Sequence, residues 1–474
     1  MRWVAAEIAE IVGGTVTRGD PHATVERVTQ DSREVDPDTP TLLVPLVADR
    51  DGHDFVAGSG ATVALSSRPA PHLGVDGRIL EADMTIVEVD DTTIALRELA
   101  SAGRLRLDGR TIVGITGSVG KTTTKDLLAA VLAADRPTHA SHRSFNNEIG
   151  VPLTVLNAPD DAEALVLEMG ARGIGHIKDL CAIGRPTVGI VTAVGAAHTS
   201  EFGSVAGVIQ AKGELVEALP SEANGGIAVL NAAQPAVVGM AERTDARIVT
   251  FGDGGDVHAV DVELDDELIP RFELVSPWGS ATVVLGARGA HLVDNALAAA
   301  TAALAIGVPI DAVVKGLSTP SLSPMRMSLV RSPRGTRIID DSYNANPMST
   351  EAALRSLLAL PVDRGGRRIA VLGQMAELGD VSAAEHARIG ALAHSLGVEL
   401  IAVDAPAYLA ELDRAAETVP AETVPAATEA ADIPEALRQL ATPSSGEPVG
   451  PDDVVLVKGS RVAELERLVD LLRE

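Results

Sequence analysis

Hydrophobic and polar residues follow different patterns in three successive parts of the chain. Residues 1–100 mix short apolar runs with turns that contain glycine and aspartate, which is typical of a small α/β module. From residue 111, continuous β-branched runs such as TIVGIT and IAVLNA alternate with helical patterns. This alternation predicts a parallel sheet that is covered by helices on both faces.

A third pattern begins near Pro320. The apolar runs TRIIDD, RRIAVLG, LIAVD and VVLVKGS are separated by helical patterns, which predicts a second, smaller doubly wound sheet. We therefore predict an α/β fold with three domains, at residues 1–100, 101–319 and 320–474. Residues 415–450 are rich in Ala, Glu, Pro and Thr, and we expect them to form a surface insertion.

Composition narrows the classes of partner and compartment. The N-terminal segment MRWVAAEIAEIVGG resembles an amphipathic helix rather than a signal peptide, and no apolar run approaches the roughly 20 residues that span a bilayer. The chain has one cysteine, Cys181, which fits a reducing compartment. A formal net charge of -27 argues against nucleic acids and anionic membranes as partners. We expect a cytoplasmic monomer that inserts into no membrane and binds no nucleic acid.

A candidate phosphate loop lies in the segment TIVGITGSVGKTTTKD, which begins at Thr111. An apolar strand leads into a glycine-hinged turn and then a helix, so backbone N–H groups and the helix N-terminus can hold the β- and γ-phosphates of a nucleotide. Lys121 would reach those phosphates, and the Thr122 hydroxyl would ligate Mg²⁺. The alternative is a turn that binds nothing, but such a turn needs neither Lys121 nor the threonines after it.

Two side chains are expected near this loop because each follows an apolar strand. Glu168 ends the strand ALVLE, and His198 follows the strand PTVGIVTAVG. Ligands of open α/β sheets bind at the carboxyl ends of the strands, so Glu168 could share Mg²⁺ with Thr122 and His198 could bind a second metal ion. The alternatives are a solvated glutamate and a surface histidine.

Lys212 lies on the apolar stripe of the predicted helix SVAGVIQAKGELVEAL. An inward-facing lysine costs several kcal/mol of desolvation unless its ammonium group extends to solvent or finds a partner. Extension to solvent and a functional role both remain open on the pattern alone.

The shortened loop TGSVGKT resembles the ATP loop of the Mur ligases, which form peptide bonds in cell-wall precursors. The resemblance implies that ATP contacts a loop formed by Gly117, Ser118, Val119, Gly120, Lys121, Thr122 and Thr123. It also implies two Mg²⁺ ions held by Thr122, Glu168, His198 and Lys212. In this family and in folylpolyglutamate synthases, a lysine that matches Lys212 has often captured CO₂ as a carbamate, a metal ligand that resembles a carboxylate. Catalytic roles then fall to Lys121, Lys212 and His198.

Three further nucleotide contacts come from the resemblance. HLVDNALAAATAAL is similar to a family helix whose second asparagine, here Asn295, meets the adenine, although Leu292 replaces the first asparagine. Arg326 matches an arginine that reaches the ATP phosphates, with an ordinary interdomain salt bridge as the alternative. Asp341 matches a contact to the ribose.

The substrate side of the resemblance points to one branch of the family. DDSYNANP is similar to a signature of the ligases that join D-Ala-D-Ala to UDP-N-acetylmuramoyl (UDP-MurNAc) tripeptide. The segments SFNNEIGVP, TQDSREV and VLVKGSR also match this branch, the second in a uridine-binding region. The implied substrate contacts are Ser32, Asn146, Asn147, Glu148, Tyr343, Asn344, Asn346 and Lys458.

The resemblance thus implies a UDP-substrate domain, a central ATP domain and a Rossmann-like third domain. The expected reaction activates the tripeptide carboxylate as an acyl phosphate, which the amine of D-Ala-D-Ala attacks. Another Mur ligase, a folylpolyglutamate synthase and a nucleotide-binding scaffold without ligase activity remain as alternatives.

Overall fold

The computed structural model describes residues 1–70, 80–81, 83–195, 202–362, 365–410, 412, 426–442 and 448–474. Within these residues the chain is an α/β protein in which three main β-sheets follow one another in sequence. None of the helices described is both long and apolar enough to span a membrane.

The first sheet has the order β2-β7-β6-β5-β4, and only β2 is antiparallel to its neighbour. The elements of this part are β1 Trp3–Val4, α1 Ala5–Ile11, β2 Thr15–Arg18, β3 Thr24–Val25, β4 Arg27–Thr29, β5 Thr41–Leu43, β6 Val63–Ser66, β7 Thr85–Glu88 and α2 Thr92–Leu105. The predicted N-terminal helix begins only at Ala5, because Trp3 and Val4 pair with β3 as an antiparallel strand. Trp3 is fully buried there, and aromatic and β-branched residues favour strands.

The central sheet is entirely parallel, as predicted, with the order β13-β12-β11-β8-β10-β9. Its strands are β8 Thr111–Thr116, β9 Thr138–Ala140, β10 Ala164–Glu168, β11 Val188–Val191, β12 Ile227–Asn231 and β13 Arg247–Phe251. Helices of this part are α3 Lys121–Ala133, α4 Gly150–Leu156, α5 His176–Gly184, α6 Val205–Glu217, α7 Pro235–Val238, α8 Leu292–Ala305 and α9 Ile310–Ser318. Strands buried on both faces explain the continuous apolar runs in the sequence.

A small antiparallel sheet follows the central strands and was not predicted. It contains β14 His258–Leu264, β15 Pro270–Ser276 and β16 Gly279–Val284. Most of β14 is exposed, so its sequence HAVDVEL lacks the continuous apolar character that identified the parallel strands.

The third sheet has the order β17-β18-β22-β19-β20-β21, with β17 antiparallel and the others parallel. Its elements are β17 Ser328–Arg331, β18 Arg337–Asp340, α10 Pro347–Ala359, β19 Arg368–Gly373, α11 Ser382–Ser395, β20 Glu399–Val403, β21 Ala427–Ala430, α12 Ile433–Ala441, β22 Val454–Lys458 and α13 Glu466–Arg473. The prediction of an insertion over 415–450 is wrong for residues 427–441, which supply the edge strand β21 and a helix. An edge strand pairs on one side only and tolerates a polar sequence, so its apolar signal is weak.

The first and central sheets share one apolar core. It joins Trp3 and Leu42 of the first part to Leu156 and Met169 of the central part in a single buried cluster. The side chain of Asn157 also exchanges two hydrogen bonds with the backbone of Val28, at 2.8 and 2.9 Å. The proposed domain boundaries after residues 100 and 319 stay predictions, and the first of them falls inside α2.

Candidate functional site

A cavity of about 590 Å³ lies where the carboxyl ends of the central strands meet the third sheet. Residues from both parts line it, including most of the predicted site. The predicted residues among its walls are Ser118, Val119, Gly120, Lys121, Thr122, Thr123, Asn146, Glu168, Asn295, Arg326, Asp341, Tyr343, Asn344, Asn346 and Lys458. The fold therefore brings together segments that are more than 300 positions apart in the sequence.

The loop between β8 and α3 has a backbone that only glycine adopts easily. Gly117 and Gly120 have φ values of 153° and 82°, in the region that favours glycine. A Cβ atom at Gly117 would collide with the Thr192 hydroxyl, which donates a hydrogen bond to the Val119 carbonyl at 2.6 Å. Thr192, the residue that follows β11, thus supports the loop, whose backbone allows a ligand to approach closely.

Lys121 begins α3 at the floor of the cavity. Its ammonium group donates a hydrogen bond to the Gly117 carbonyl at 2.6 Å. Burial lowers the pKa of Lys121, while the Glu168 carboxylate opposes this shift. A lysine held beside backbone N–H groups at a helix N-terminus is suited to bind phosphate.

The carboxylate of Glu168 is almost fully buried at the end of β10. Oε1 accepts a hydrogen bond from the Asn146 amide at 2.9 Å, and Oε2 is buried without a partner among the described residues. A buried carboxylate oxygen without a donor is expensive unless a cation meets it. Together with the Thr122 hydroxyl, which also lines the cavity, this oxygen gives the hard donors that Mg²⁺ prefers.

No group of three or more His, Cys, Asp or Glu side chains able to hold a metal ion occurs in the part of the chain that the structure describes. A divalent cation here would therefore be held by Glu168, by the Thr122 hydroxyl and by oxygen atoms of a bound phosphate or of water. This incomplete protein shell is typical of Mg²⁺ bound together with phosphates. His198, the predicted second ligand, lies outside the described residues.

Lys212 is buried in α6 and does not line the cavity. Its Nζ atom lies 5.6 Å from the centroid of the Phe202 ring. Burial, with a further contribution from the charge of Lys121, lowers the pKa of Lys212 to about 7. Burial therefore favours the neutral, nucleophilic form of this amine.

Arg326 extends from the third part of the chain to the phosphate loop. Its guanidinium group donates hydrogen bonds to the hydroxyls of Thr122 at 3.0 Å and Ser144 at 3.3 Å. It also lies 4.4 Å from the centroid of the Tyr343 ring. The sequence left open an ordinary salt bridge for Arg326, but these polar partners are uncharged hydroxyls.

The ion pair of Asp341 and Lys458 lines the wall of the cavity opposite the phosphate loop. Asp341 follows β18, and its Oδ2 atom accepts a hydrogen bond from the buried Lys458 ammonium at 2.5 Å. Lys458 also donates to the Asn344 carbonyl at 2.9 Å. This pair fixes the DDSYNANP turn against β22, where it faces the phosphate loop across the cavity.

Two predicted contacts have local structural partners. Asn346 caps α10 by accepting a hydrogen bond from the Ser349 N–H at 3.0 Å. Asn295 donates to the Gly120 carbonyl at 3.2 Å and to the Thr124 hydroxyl at 3.0 Å, so it packs against the loop itself. Both side chains still line the cavity.

Three predicted substrate residues lie outside the cavity lining. Asn147 is exposed and accepts a hydrogen bond from the Gly150 N–H at 2.9 Å, at the start of α4. Glu148 is also exposed, and Ser32 lies in a short helical turn, Ser32–Glu34, of the first part. Their roles stay predictions.

The sequence did not single out several of the lining residues, even where they stand beside a matched motif. Ser144 lies within 3.2 Å of the Thr122 hydroxyl, and Asn231 donates to the Thr192 carbonyl at 2.9 Å. Asn231 ends a strand of the central sheet, so its strand-end position alone could have identified it. His291 also lines the cavity, and burial lowers its pKa to about 4.

Comparison with known proteins places this site in a family. Residues 115–303 match the Mur ligase middle domain, and residues 325–461 match the Mur ligase glutamate ligase domain. The UDP-N-acetylmuramoyl-tripeptide--D-alanyl-D-alanine ligase of Mycobacterium tuberculosis is 40% identical over 98% of this chain and 97% of its own length.

Solved structures agree over the whole fold. A crystal structure of MurF from Acinetobacter baumannii superposes with a TM-score of 0.83 at 30% identity, covering 100% of this chain and 99% of that one. The MurF ligase of Thermotoga maritima in complex with ADP gives a TM-score of 0.75 at 28% identity, covering 95% and 97%.

Proposed function

Because the chain belongs to the Mur ligase family, we propose that it is an ATP-dependent ligase that joins D-Ala-D-Ala to UDP-MurNAc-tripeptide and releases ADP and phosphate. This reaction belongs to the cytoplasmic synthesis of the peptidoglycan precursor, and so to cell-wall growth, cell shape and division. The observation that carries the proposal is one cavity with the phosphate loop on one wall and the DDSYNANP segment on the other.

The nucleotide lies on the phosphate loop in this proposal. Backbone N–H groups of residues 117–123 and the Lys121 ammonium hold the β- and γ-phosphates. Asn295 contacts the adenine, Asp341 the ribose, and Arg326 the phosphates. Arg326 and Asp341 come from the third domain, so the nucleotide is held between two domains.

Gly120 gives a direct test of the loop. In Gly120→Ala the new Cβ would collide with the Asn295 amide, and the backbone has a φ of 82°. We expect the Kd for ADP with Mg²⁺ to rise about tenfold, since strain of this kind costs about 1–3 kcal/mol. Calorimetric titration measures this Kd.

Gly239→Ala is the matched control for this variant. Its added Cβ has no heavy atom within 4 Å, and its φ is -61°. The control should bind ADP like the wild type, and equal ADP affinity in both variants would contradict the proposed loop.

The buried Oε2 atom of Glu168 and the nearby Thr122 hydroxyl support a Mg²⁺ site in this proposal. Thr122, Glu168 and His198 would hold two ions, with Glu168 Oε2 as the oxygen that lacks a partner among the described residues. Bound there, Mg²⁺ would offset the repulsion between the substrate carboxylate and the γ-phosphate. Asn146 orients Glu168 by donating to its other oxygen.

Lys212 is proposed to carry a carbamate. Its pKa of about 7 leaves a neutral amine, which attacks CO₂, forms an N–C bond and loses one proton. The product is an anionic group in place of a buried ammonium, and it serves as a further magnesium ligand. The buried position of Lys212 supports this role, because a permanent ammonium there would carry a high desolvation cost.

The two substrates approach from opposite sides. Asn146, Asn147 and Glu148 face the UDP-linked peptide, with Ser32 in the uridine region. Tyr343, Asn344, Asn346 and Lys458 face D-Ala-D-Ala.

The tripeptide carboxylate attacks the γ-phosphorus and ADP leaves. The amine of D-Ala-D-Ala then attacks the acyl carbon, phosphate leaves, and the amine loses a proton. An acyl phosphate hydrolyses readily, so contact between the two domains has the further task of excluding water.

The test is a coupled assay of ADP release by the full chain with ATP, Mg²⁺ and UDP-MurNAc-tripeptide, with and without D-Ala-D-Ala. We expect multiple turnovers only with the dipeptide, and the pentapeptide product in the mass spectrum. Turnover with a folate and glutamate, or with a single amino acid and a shorter UDP-linked peptide, would indicate another family activity. Nucleotide binding without turnover on any of these substrates would indicate a scaffold.

A further inference from the structure

Lys125 is a buried lysine one turn into the helix that follows the phosphate loop. Its ammonium group donates to the carbonyls of Ser141 at 2.8 Å and Arg143 at 2.9 Å. A third contact, at 2.7 Å, joins it to the Asp126 carboxylate. Two carbonyl oxygens and one carboxylate therefore surround the ammonium group of a lysine that is only 3% exposed.

Asp126 uses its two oxygens for different partners. Oδ1 meets Lys125, and Oδ2 accepts a hydrogen bond at 2.8 Å from the backbone N–H of Ser323. Ser323 lies in the linker between α9 and β17, three residues before Arg326. The carboxylate is 8% exposed, so solvent competes little for this hydrogen bond.

The loop on the other side of Lys125 leads to the reacting groups. Lys125 donates a hydrogen bond to the carbonyl of Arg143. The backbone of Arg143 has a φ of 49°, which residues other than glycine rarely adopt and which needs support from the surrounding structure. Ser144 follows it and lies 3.2 Å from the Thr122 hydroxyl. Asn146, two residues after Ser144, donates to Glu168. The Lys125–Asp126 ion pair therefore contacts two segments. Lys125 contacts the loop of residues 141–146, and Asp126 contacts the linker between α9 and β17.

We propose that Asp126 is a positioning residue for the ligase reaction: through the Ser323 N–H it fixes the linker so that Arg326 reaches the phosphate loop. The inference rests on the proposed function and adds a residue to it. Asp126 touches no reacting atom in this role. It sets the distance between the phosphate-loop helix and the first residues of the third domain, which govern where Arg326 lies.

A purely structural ion pair would behave differently. Replacing such a pair changes stability, whereas the hydrogen bond that the Ser323 N–H donates to Asp126 lies outside the central sheet. Misplacement of a contributing group by about 1 Å can cost up to about 100-fold in rate, whereas one hydrogen bond contributes only about 1 kcal/mol to stability. Loss of the linker hydrogen bond should therefore affect turnover much more than melting.

Ser323→Pro is the decisive variant because proline has no backbone N–H, while the Asp126–Lys125 pair is left intact. Ser323→Ala is its matched control, since it keeps the N–H and removes only the hydroxyl. Asp126→Asn is a second variant. Its side chain has a single acceptor oxygen, so either Lys125 or the Ser323 N–H loses its partner, whichever way the amide is oriented. Each full-length variant is assayed for kcat, for KM of ATP, for Kd of UDP-MurNAc-tripeptide and for thermal melting.

We expect Ser323→Pro to lower kcat about tenfold or more, with melting and the Kd of UDP-MurNAc-tripeptide close to those of the wild type. Ser323→Ala should retain wild-type kcat, and Asp126→Asn should lose at least as much kcat as Ser323→Pro. Wild-type kcat in Ser323→Pro would overturn the inference while leaving the proposed function intact. A lower kcat that comes with a clearly lower melting temperature and a clearly weaker affinity for UDP-MurNAc-tripeptide would do the same, because the variant would then be generally destabilised. A wild-type chain without D-Ala-D-Ala-dependent ADP release overturns the proposed function and the inference with it.

Discussion

Lys121→Ala is expected to abolish measurable ADP formation while leaving the fold intact. The ammonium group is the cation that α3 places among the backbone N–H groups of the phosphate loop, where negative charge grows on the γ-phosphate during transfer. Removal of one neutral donor at such a position costs about 10²–10³ in rate, so loss of a charged one should cost about 10³-fold or more. The coupled ADP-release assay with D-Ala-D-Ala measures the effect.

The fold should survive this change because, among the residues that the structure describes, the Lys121 ammonium bonds only to carbonyls of its own loop. Lys315→Ala, which removes an exposed lysine from α9, is the control for loss of a positive charge. Melting temperatures of both variants should match the wild type. Normal D-Ala-D-Ala-dependent turnover by Lys121→Ala would defeat the proposed role.

Lys212→Ala is expected to lower kcat about 100-fold or more. If a carbamate at this position completes the magnesium site, the alanine variant loses a ligand, and losses of this kind cost about that much. Short-chain carboxylic acids should restore part of the activity by supplying the missing carboxylate, whereas bicarbonate should not, because no amine remains to capture CO₂. Lys178→Ala, an exposed lysine on α5, serves as the control.

The pH dependence of the wild type tests the same group. CO₂ reacts only with the neutral amine, and the pKa of Lys212 is about 7, so carbamate formation should decline as the pH falls through 7. NMR of the wild type in ¹³C-bicarbonate should show a carbamate signal that Lys212→Ala lacks. Wild-type rates in Lys212→Ala would exclude the carbamate role.

Local sequence was sufficient for the phosphate loop and the parallel strands. The loop is contiguous, its glycines have the backbone that the pattern predicted, and each buried strand is a run of apolar residues. The family resemblance then extended the prediction to the third domain, where comparison with relatives confirms the Mur ligase fold.

The sequence could not show which polar side chains hydrogen-bond to backbone groups of the protein itself. Asn147 matches a substrate motif, yet its side-chain oxygen accepts from the Gly150 N–H, a partner three residues away that any asparagine before a helix can choose. Asp126 ends the segment that holds the phosphate loop, but it is 197 positions from Ser323 and no sequence pattern pairs the two. Such a pair becomes visible only when packing brings α3 against the linker.

Errors also arose where strands lie at an edge or on the surface. β14 and β21 are partly exposed, so their sequences are polar enough to resemble loops or an insertion. Tertiary pairing, rather than local propensity, made them strands.

The apolar core that Trp3 and Leu42 share with Leu156 and Met169 limits how this enzyme can be recombined during evolution. The first sheet cannot be exchanged alone, because a substitute would have to match the buried surface of the central sheet. By contrast, the cores of the third sheet draw almost wholly on residues 327–472, with Leu264 and Leu268 as contributions from outside. The third sheet is therefore the part of the chain that can be replaced without disturbing the core that the first and central sheets share.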